Sequence, residues 1–172
     1  MAEQTTNGSV RPKHRTQKVQ SAEQDVLAKF RVIFKSIKKH FHWVEQQTGV
    51  NGAQLWVLAV IAETPGIKVK ELAKVLSIHQ STASNLIDRL VKQGMIRRER
   101  SEEDQRVVHL FAEARGKKLI KAAPKPLRGV LPDALNHMSA SDLIQLNLLL
   151  AKLLGKMKVR DDSGKSTPLA NI

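Results

Sequence analysis

The chain of 172 residues contains no cysteine, which excludes disulfides, thiolate metal sites, cysteine nucleophiles and thiol-based redox sensing. It also lacks a long apolar run. The longest, Leu55 to Ala62, covers eight residues, far fewer than the roughly 20 needed to cross a bilayer. No succession of charged, apolar and small residues opens the sequence, so no secretory signal is expected and the expected location is the cytoplasm. No glycine-rich phosphate loop occurs, and Ser, His and Asp stand in no catalytic order. No catalytic residue is therefore assigned, and neither enzymatic activity nor a cofactor is expected. His40 and His42 lie two apart on a helical pattern and point to different faces; with no Cys or close acid pair to complete a set, no metal site is expected. Acidic residues are scarce, 16 against 29 Lys and Arg, for a net charge of +13 and a pI near 10.3. That imbalance favours a polyanionic partner, either nucleic acid or an acidic membrane surface.

What is present is enough apolar residue, 41%, for one globular domain with a core. Residues 1–20, MAEQTTNGSVRPKHRTQKVQ, hold four basic residues and few aliphatics, and read as a disordered basic arm. Residues 158–172 mix charge with Ser, Gly and Pro without a period, and read as a disordered tail. Between them, residues 21–157 form the expected domain. Val26, Phe30, Ile33, Ile37, Phe41 and Val44 recur at three and four residues, predicting a helix of about 25 residues with Lys29, Lys35, Lys38 and Lys39 on its other side. Asn51 is a good N-cap for a second helix, which Pro65-Gly66 ends. A third helix is predicted over about Val69 to Leu76 and a fourth from about Gln80 to Gln93, closed by Gly94.

The fourth helix carries Ala83, Leu86, Ile87, Leu90 and Val91 on one stripe that must face a core. After Gly94 the pattern shifts to short stretches, Met95 to Ser101 and Arg106 to Phe111, around the polar turn Glu102-Glu103-Asp104-Gln105, which predicts a β-hairpin. Helices joined by a tight turn and followed by a hairpin describe a winged helix-turn-helix, over about residues 50–112. The fold class is thus mainly α with a small β-hairpin wing, flanked by helical regions at about 21–48 and 113–157. Pro124, Pro126 and Pro132 are expected to break or kink the segment after the wing. Ser139 with Asp142 begins a last helix, whose Leu143, Leu146, Leu150, Leu153 and Met157 form a stripe widened by four further aliphatics. A helix that apolar on several faces needs a second partner.

The strings GVNGAQLWVL, ELAKVL, STASNLIDRLVKQGMI and RRERSEEDQRVVHL, in this order, resemble the MarR family of winged-helix regulators over roughly residues 20 to 157. Asp104-x-Arg106, ten residues after Gly94, is the most specific of these features. Where the family often has a Ser or Thr helix cap, this chain has Lys68, His79 and Glu113, and the tryptophan common at position 55 is replaced by Leu55 with Trp56 adjacent. The resemblance implies a homodimer joined through its first, fifth and sixth helices, which marks the helical regions at about 21–48 and 113–157 as the dimerisation regions. It also implies a recognition helix matching Gln80 to Gln93, a wing-tip arginine matching Arg106, and a repressor whose affinity for DNA falls when a small molecule, often an aromatic acid, binds. Dimer contacts are expected from Phe30, Ile33, Ile37, Leu143, Leu146, Leu150 and Leu153. No residue is assigned to the effector.

A recognition helix places its N-terminal half in the major groove, so Gln80, Ser81, Ser84 and Asn85 are candidates for base contacts. Lys70, Arg89, Lys92, Arg98 and Arg100 are candidates for phosphate contacts. The alternative for this set is an ordinary solvated face. Arg106 at the hairpin tip suits a narrow minor groove, with Asp104 orienting it through a charge-assisted hydrogen bond; the alternative is a plain surface ion pair. The expected partners are double-stranded DNA, a second copy of the chain and a small aromatic acid effector, with no membrane partner. Two rival functions share parts of this pattern: a sequence-tolerant nucleoid protein, and a basic membrane-surface protein using Lys29 to Lys39. The charge itself is spread unevenly. Residues 68–106 hold nine basic and six acidic residues, whereas residues 107–132 hold six basic and one acidic.

Overall fold

The computed structural model describes residues 13–104, 106–158 and 160–171. The first twelve residues of the expected arm lie outside these. Two compact units divide at Lys35 and Ser36, inside the first helix. That helix, α1, runs from Lys13 to Thr48 over 36 residues, and so begins eight residues inside the stretch read as an arm. The arm's low apolar content does not prevent a helix, because no Pro or Gly interrupts residues 13–48 and the polar residues there are mostly fair helix formers. In the first unit the rings of Phe30 and Phe34 stack at 6.3 Å, and Val26, Leu27, Val32 and Ile33 are exposed.

The second unit is built around α2 (Gly52–Glu63). Asn51 caps it through a reciprocal pair with Gln54: the Asn51 side chain accepts from the Gln54 amide at 2.9 Å, and the Gln54 side chain accepts from the Asn51 amide at 3.2 Å. After the turn at Pro65-Gly66 come β1 (Ile67–Lys68), α3 (Val69–Leu76) and α4 (Gln80–Lys92). Strands β2 (Ile96–Arg100) and β3 (Val108–Ala112) complete an antiparallel sheet of order β1-β3-β2, with Arg98 opposite Leu110 and Ile67 opposite the same residue on the other side. Gly94, with φ +65, lets the chain leave α4 in the left-handed conformation that a side chain disfavours. The core joins Leu55, Leu58 and Ile61 of α2 to Leu72, Ile87, Leu90 and Leu110.

Beyond the wing, α5 (Ala114–Ala122) ends ahead of Pro124, as proline requires. Pro132 neither breaks nor kinks anything. It occupies the third position of the short helix α6 (Val130–Asn136), within the first turn, whose amides have no intrahelical acceptor to lose. The last helix, α7 (Ala140–Lys156), is capped by Ser139, whose hydroxyl oxygen accepts from the Asp142 amide at 3.1 Å. The expected tail is also ordered differently from the prediction, forming 3-10 turns at Asp162–Ser166 and Leu169–Asn171.

Gly116 fixes the approach of α5 to the sheet. A Cβ there would collide with the Met95 carbonyl oxygen and come within 2.9 Å of Leu58 Cδ1. Alanine's better helix propensity is worth about 1 kcal/mol, but overpacking against a backbone that cannot rotate away costs up to about 3 kcal/mol. Gly116→Ala is therefore expected to lower the urea midpoint, and an unchanged or raised midpoint would show that α5 moves aside freely.

His40 of α1 is buried, with its Nε2 3.1 Å from the Pro126 carbonyl oxygen, which can only accept; the ring nitrogen therefore donates. Burial pushes the imidazole below its ordinary range, partly offset by that hydrogen bond. The folded state then binds fewer protons than the unfolded chain, so this group's stabilisation is intact above about pH 6.5 and is lost as the pH falls below it. Urea unfolding over a pH series is expected to show a shallower acid-side decline in His40→Gln, which keeps a donor but cannot titrate. Parallel declines in the two proteins would contradict this.

Candidate nucleic-acid interface

The polar face of α4 is forced outward by the burial of Ala83, Leu86, Ile87 and Leu90 on its other side. Gln80, Ser81 and Asn85 are exposed and Ser84 is half-buried, all within the first two turns; Arg89 and Lys92 are exposed near its end. His79, at the N-cap, makes no side-chain capping bond, so the first-turn amides of α4 remain open to an external acceptor. Lys70 is exposed in the first turn of α3. The α3–α4 turn passes through Ser77, whose φ of +53 is left-handed, and the Ile78 amide donates to the Ala73 carbonyl at 3.0 Å.

The wing sorts its arginines by strand alternation. Arg97 lies over the Phe111 ring at 4.8 Å and donates to Glu99 at 2.7 Å and Glu113 at 3.5 Å. Arg98 points to the opposite side, where its guanidinium pairs with Asp88 of α4. Arg100 follows Arg98 on that side, exposed and with no ion pair among the described residues. The sequence makes Arg98 a candidate phosphate contact and carries no sign of the Asp88 partner. Asp88 sits among polar neighbours on an exposed helix face, and only the packing of β2 beside α4 brings the two together.

At the tip, Ser101 closes the loop. Its hydroxyl oxygen accepts from the amides of Glu103 at 3.3 Å and Asp104 at 3.4 Å, while its own amide donates to the Val107 carbonyl at 2.9 Å. This role was also missed, although Ser followed by two acidic residues is a turn-forming pattern. Asp104 Oδ1 then accepts from the Arg106 amide at 3.0 Å and from Arg106 Nε at 3.2 Å. Arg106 is nonetheless 93% exposed along its side chain, so its two terminal nitrogens project into solvent while Nε is held.

The candidate dimer residues are not equivalent. Ile37 is buried within the chain itself and lines a small cleft with Phe41, Leu169 and Ala170. Within the single chain Ile37 is thus largely covered, unlike the other candidates. Phe30, Leu143 and Leu146 are half-buried, and Ile33, Leu150 and Leu153 are exposed. No residue of α7 is buried, although seven of its seventeen residues are leucine. A separate cavity of about 420 Å³ lies where α2 meets the α5–α6 connection, lined by Trp56, Glu63, Lys125, Leu127, Arg128 and Asp133 among others. Arg128 pairs with Glu63 there at 2.8 Å. Among the described residues no cluster of His, Asp and Glu could hold a metal ion, and no helix is long and apolar enough to cross a membrane.

A polar recognition face on the second helix of a helix-turn-helix, flanked by a hairpin with an extended arginine at its tip, defines a winged-helix protein of the DNA-binding class. Residues 48–107 match the model of the MarR family. The chain is 25% identical over 138 residues to the HTH-type transcriptional repressor MdtR of Bacillus subtilis, covering 78% of this chain and 89% of that protein. It is 25% identical over 118 residues to the transcriptional repressor MprA of Escherichia coli, covering 67% of each. Among solved structures, the S. aureus MepR–DNA complex shares the fold with a TM-score of 0.54 at 21% identity, over 76% of this chain and 96% of that one.

Proposed function

We propose that this chain is a repressor that binds a pseudo-palindromic DNA site as a homodimer, responds to a small-molecule ligand and works in the cytoplasm. The observation that carries the DNA reading is the wing tip, where Asp104 fixes Arg106 Nε and leaves the rest of the guanidinium extended into solvent. An arginine held straight loses less side-chain freedom on entering a narrow minor groove. Gln80, Ser81, Ser84 and Asn85 supply base-edge donors and acceptors, and Lys70, Arg89, Lys92 and Arg100 supply phosphate contacts. Arg98 joins these when a phosphate displaces Asp88.

The homodimer is supported by α7, whose Ile144, Leu148, Leu149, Leu150, Leu153 and Leu154 are all exposed. An apolar face of that extent is characteristic of a protein interface. A two-fold dimer presents its two recognition helices to half-sites about one helical turn apart. Sedimentation at micromolar concentration is expected to give the mass of two chains, and a single-chain mass would overturn the dimer. The effector reading is supported by the cavity beside Trp56, whose volume lies within the range of roughly 300 to 1,000 Å³ typical of ligand sites and whose wall holds Lys125, with Arg128 paired to Glu63 and with Asp133 nearby. Lys125, which has no acidic partner among the described residues, suits the carboxylate of an aromatic acid whose ring lies on Trp56 and Leu127.

The test is selection of duplexes from a random-sequence pool, followed by affinity measurements on a selected duplex at several salt concentrations with and without aromatic carboxylates. Log affinity is expected to fall with log salt by about 0.9 per phosphate neutralised, and the carboxylates are expected to weaken binding. Arg106→Ala should weaken binding by about tenfold, corresponding to the loss of a contact worth about 1 to 3 kcal/mol. Asp104→Ala should also weaken it, although it removes a negative charge near DNA. Tighter binding by Asp104→Ala would show that the carboxylate only repels, and a flat salt response would sink the DNA reading itself. Recovery of no preferred sequence from the pool would favour the sequence-tolerant alternative.

A further inference from the structure

The segment after α7 is not a loose end. It starts with its own local bonds: the Asp161 side chain accepts from the Ser163 amide at 2.9 Å, and Asp162 pairs with Arg160 at 3.0 Å and with Lys165 at 3.4 Å. The Thr167 hydroxyl donates to the Ser163 carbonyl at 3.1 Å, and the Asn171 amide to the Pro168 carbonyl at 2.8 Å. These turns deliver Pro168, buried, into a slot between Ala53, Trp56 and Val57 of α2, Leu76 at the end of α3, Ile78 of the α3–α4 turn, and Leu86 of α4. The free space left there is about 10 Å³, too little to accommodate a water comfortably. Next to it, Leu169 and Ala170 lie against Phe41 of α1 and Gly52 of α2, leaving about 10 Å³ on the side of Trp56 and an open cleft of about 180 Å³ on the side of Ile37. Ala170 packs on the main core.

We infer that residues 166–171 are an intrachain clamp, which ties the end of α1 and the start of α2 to the back of the recognition helix and restrains that helix. Leu86 faces the clamp from the same helix whose opposite face carries Ser81, Ser84 and Asn85, so a change in the slot reaches the recognition face through one turn of rigid helix. The clamp buries only a few small apolar side chains, while about ten residues must be ordered to close it. Its closed state is therefore only modestly favoured, which suits a contact that opens and closes rather than a permanent part of the core. The inference does not depend on the DNA reading, because its consequences are measurable on the protein alone.

The test uses two variants, the chain shortened after residue 160 and the full chain with Pro168→Asp, each in a Trp43→Phe background that leaves Trp56 as the sole tryptophan. Acrylamide quenching of Trp56 is expected to rise at least twofold in both, showing that the slot has opened. Hydrogen exchange of the α4 amides is expected to quicken at least tenfold, with α5 unchanged. Unaltered quenching of Trp56 would overturn the clamp, as would an opened slot with α4 exchange at its original rate. Equal acceleration in α4 and α5 would also overturn it, because the segment would then hold the whole domain together rather than restrain one helix.

Discussion

The larger unit depends on the burial of α2. Nine of its twelve residues are buried, so it has no face to spare for solvent and must be enclosed. The enclosure is made by α3, α4, α5, β3 and the last 3-10 turn. This constraint places α4: its apolar stripe is satisfied against α2, α3 and the start of β2, and its polar side is then turned outward. The two ends of this arrangement are also tied together. Gln54, buried in the first turn of α2 while completing the cap on Asn51, donates to Gln93 at the end of α4 at 3.4 Å. A polar group buried in that position is tolerated because its hydrogen bonds are satisfied.

Elements with a strong local signal were legible from the sequence. α3 spans the predicted residues, α4 ends one residue early, and the hairpin strands form on either side of the predicted turn. The three non-standard caps were legible too: Lys68, His79 and Glu113 each stand at an N-cap without a side-chain capping bond. For α3 the loss is partly made good from within, because the Glu71 carboxylate accepts from the Lys68 amide at 3.2 Å. What could not be read were features fixed by distant packing. Ile37 belongs to the helical stripe that predicts a partner-facing side, yet the chain's own segment near Leu169 and Ala170 lies beside it. Segment 162–171 has no periodicity to signal order, since its structure comes from short turns and a slot built by other elements. The start of α1 was missed for the opposite reason: helix formation there needs only the absence of breakers, whereas the reading relied on apolar spacing.

The site was legible in its residue types but not in its pairings. Asp104 with Arg106 could be proposed because the two are close in sequence and share a tip. Asp88 with Arg98, ten positions apart on different elements, could not. The distribution of charge shows the same limit. The exposed Arg115, Lys117, Lys118, Lys121 and Lys125 on and after α5 carry much of the excess, and such a patch attracts phosphate at a distance without distinguishing one sequence from another. In the proposed reading, selectivity falls to the near-neutral side chains of α4.

The acidic residues beside the candidate DNA face then have a common physical role. A guanidinium paired to a carboxylate is restricted in its rotamers before any partner arrives, so less entropy is lost when it docks. The benefit depends on which nitrogens the acid takes. Asp104 takes Nε of Arg106 and leaves the terminal nitrogens to a new acceptor. Asp88 takes a terminal nitrogen, Nη2, of Arg98, so a phosphate must compete for that position. Arg100 has no such competitor among the described residues and can turn to phosphate at once. Three arginines on one hairpin thus differ in restraint: Arg106 is held at Nε with its terminal nitrogens open, Arg100 has no acidic partner among the described residues, and Arg98 is held at Nη2 by Asp88 of α4.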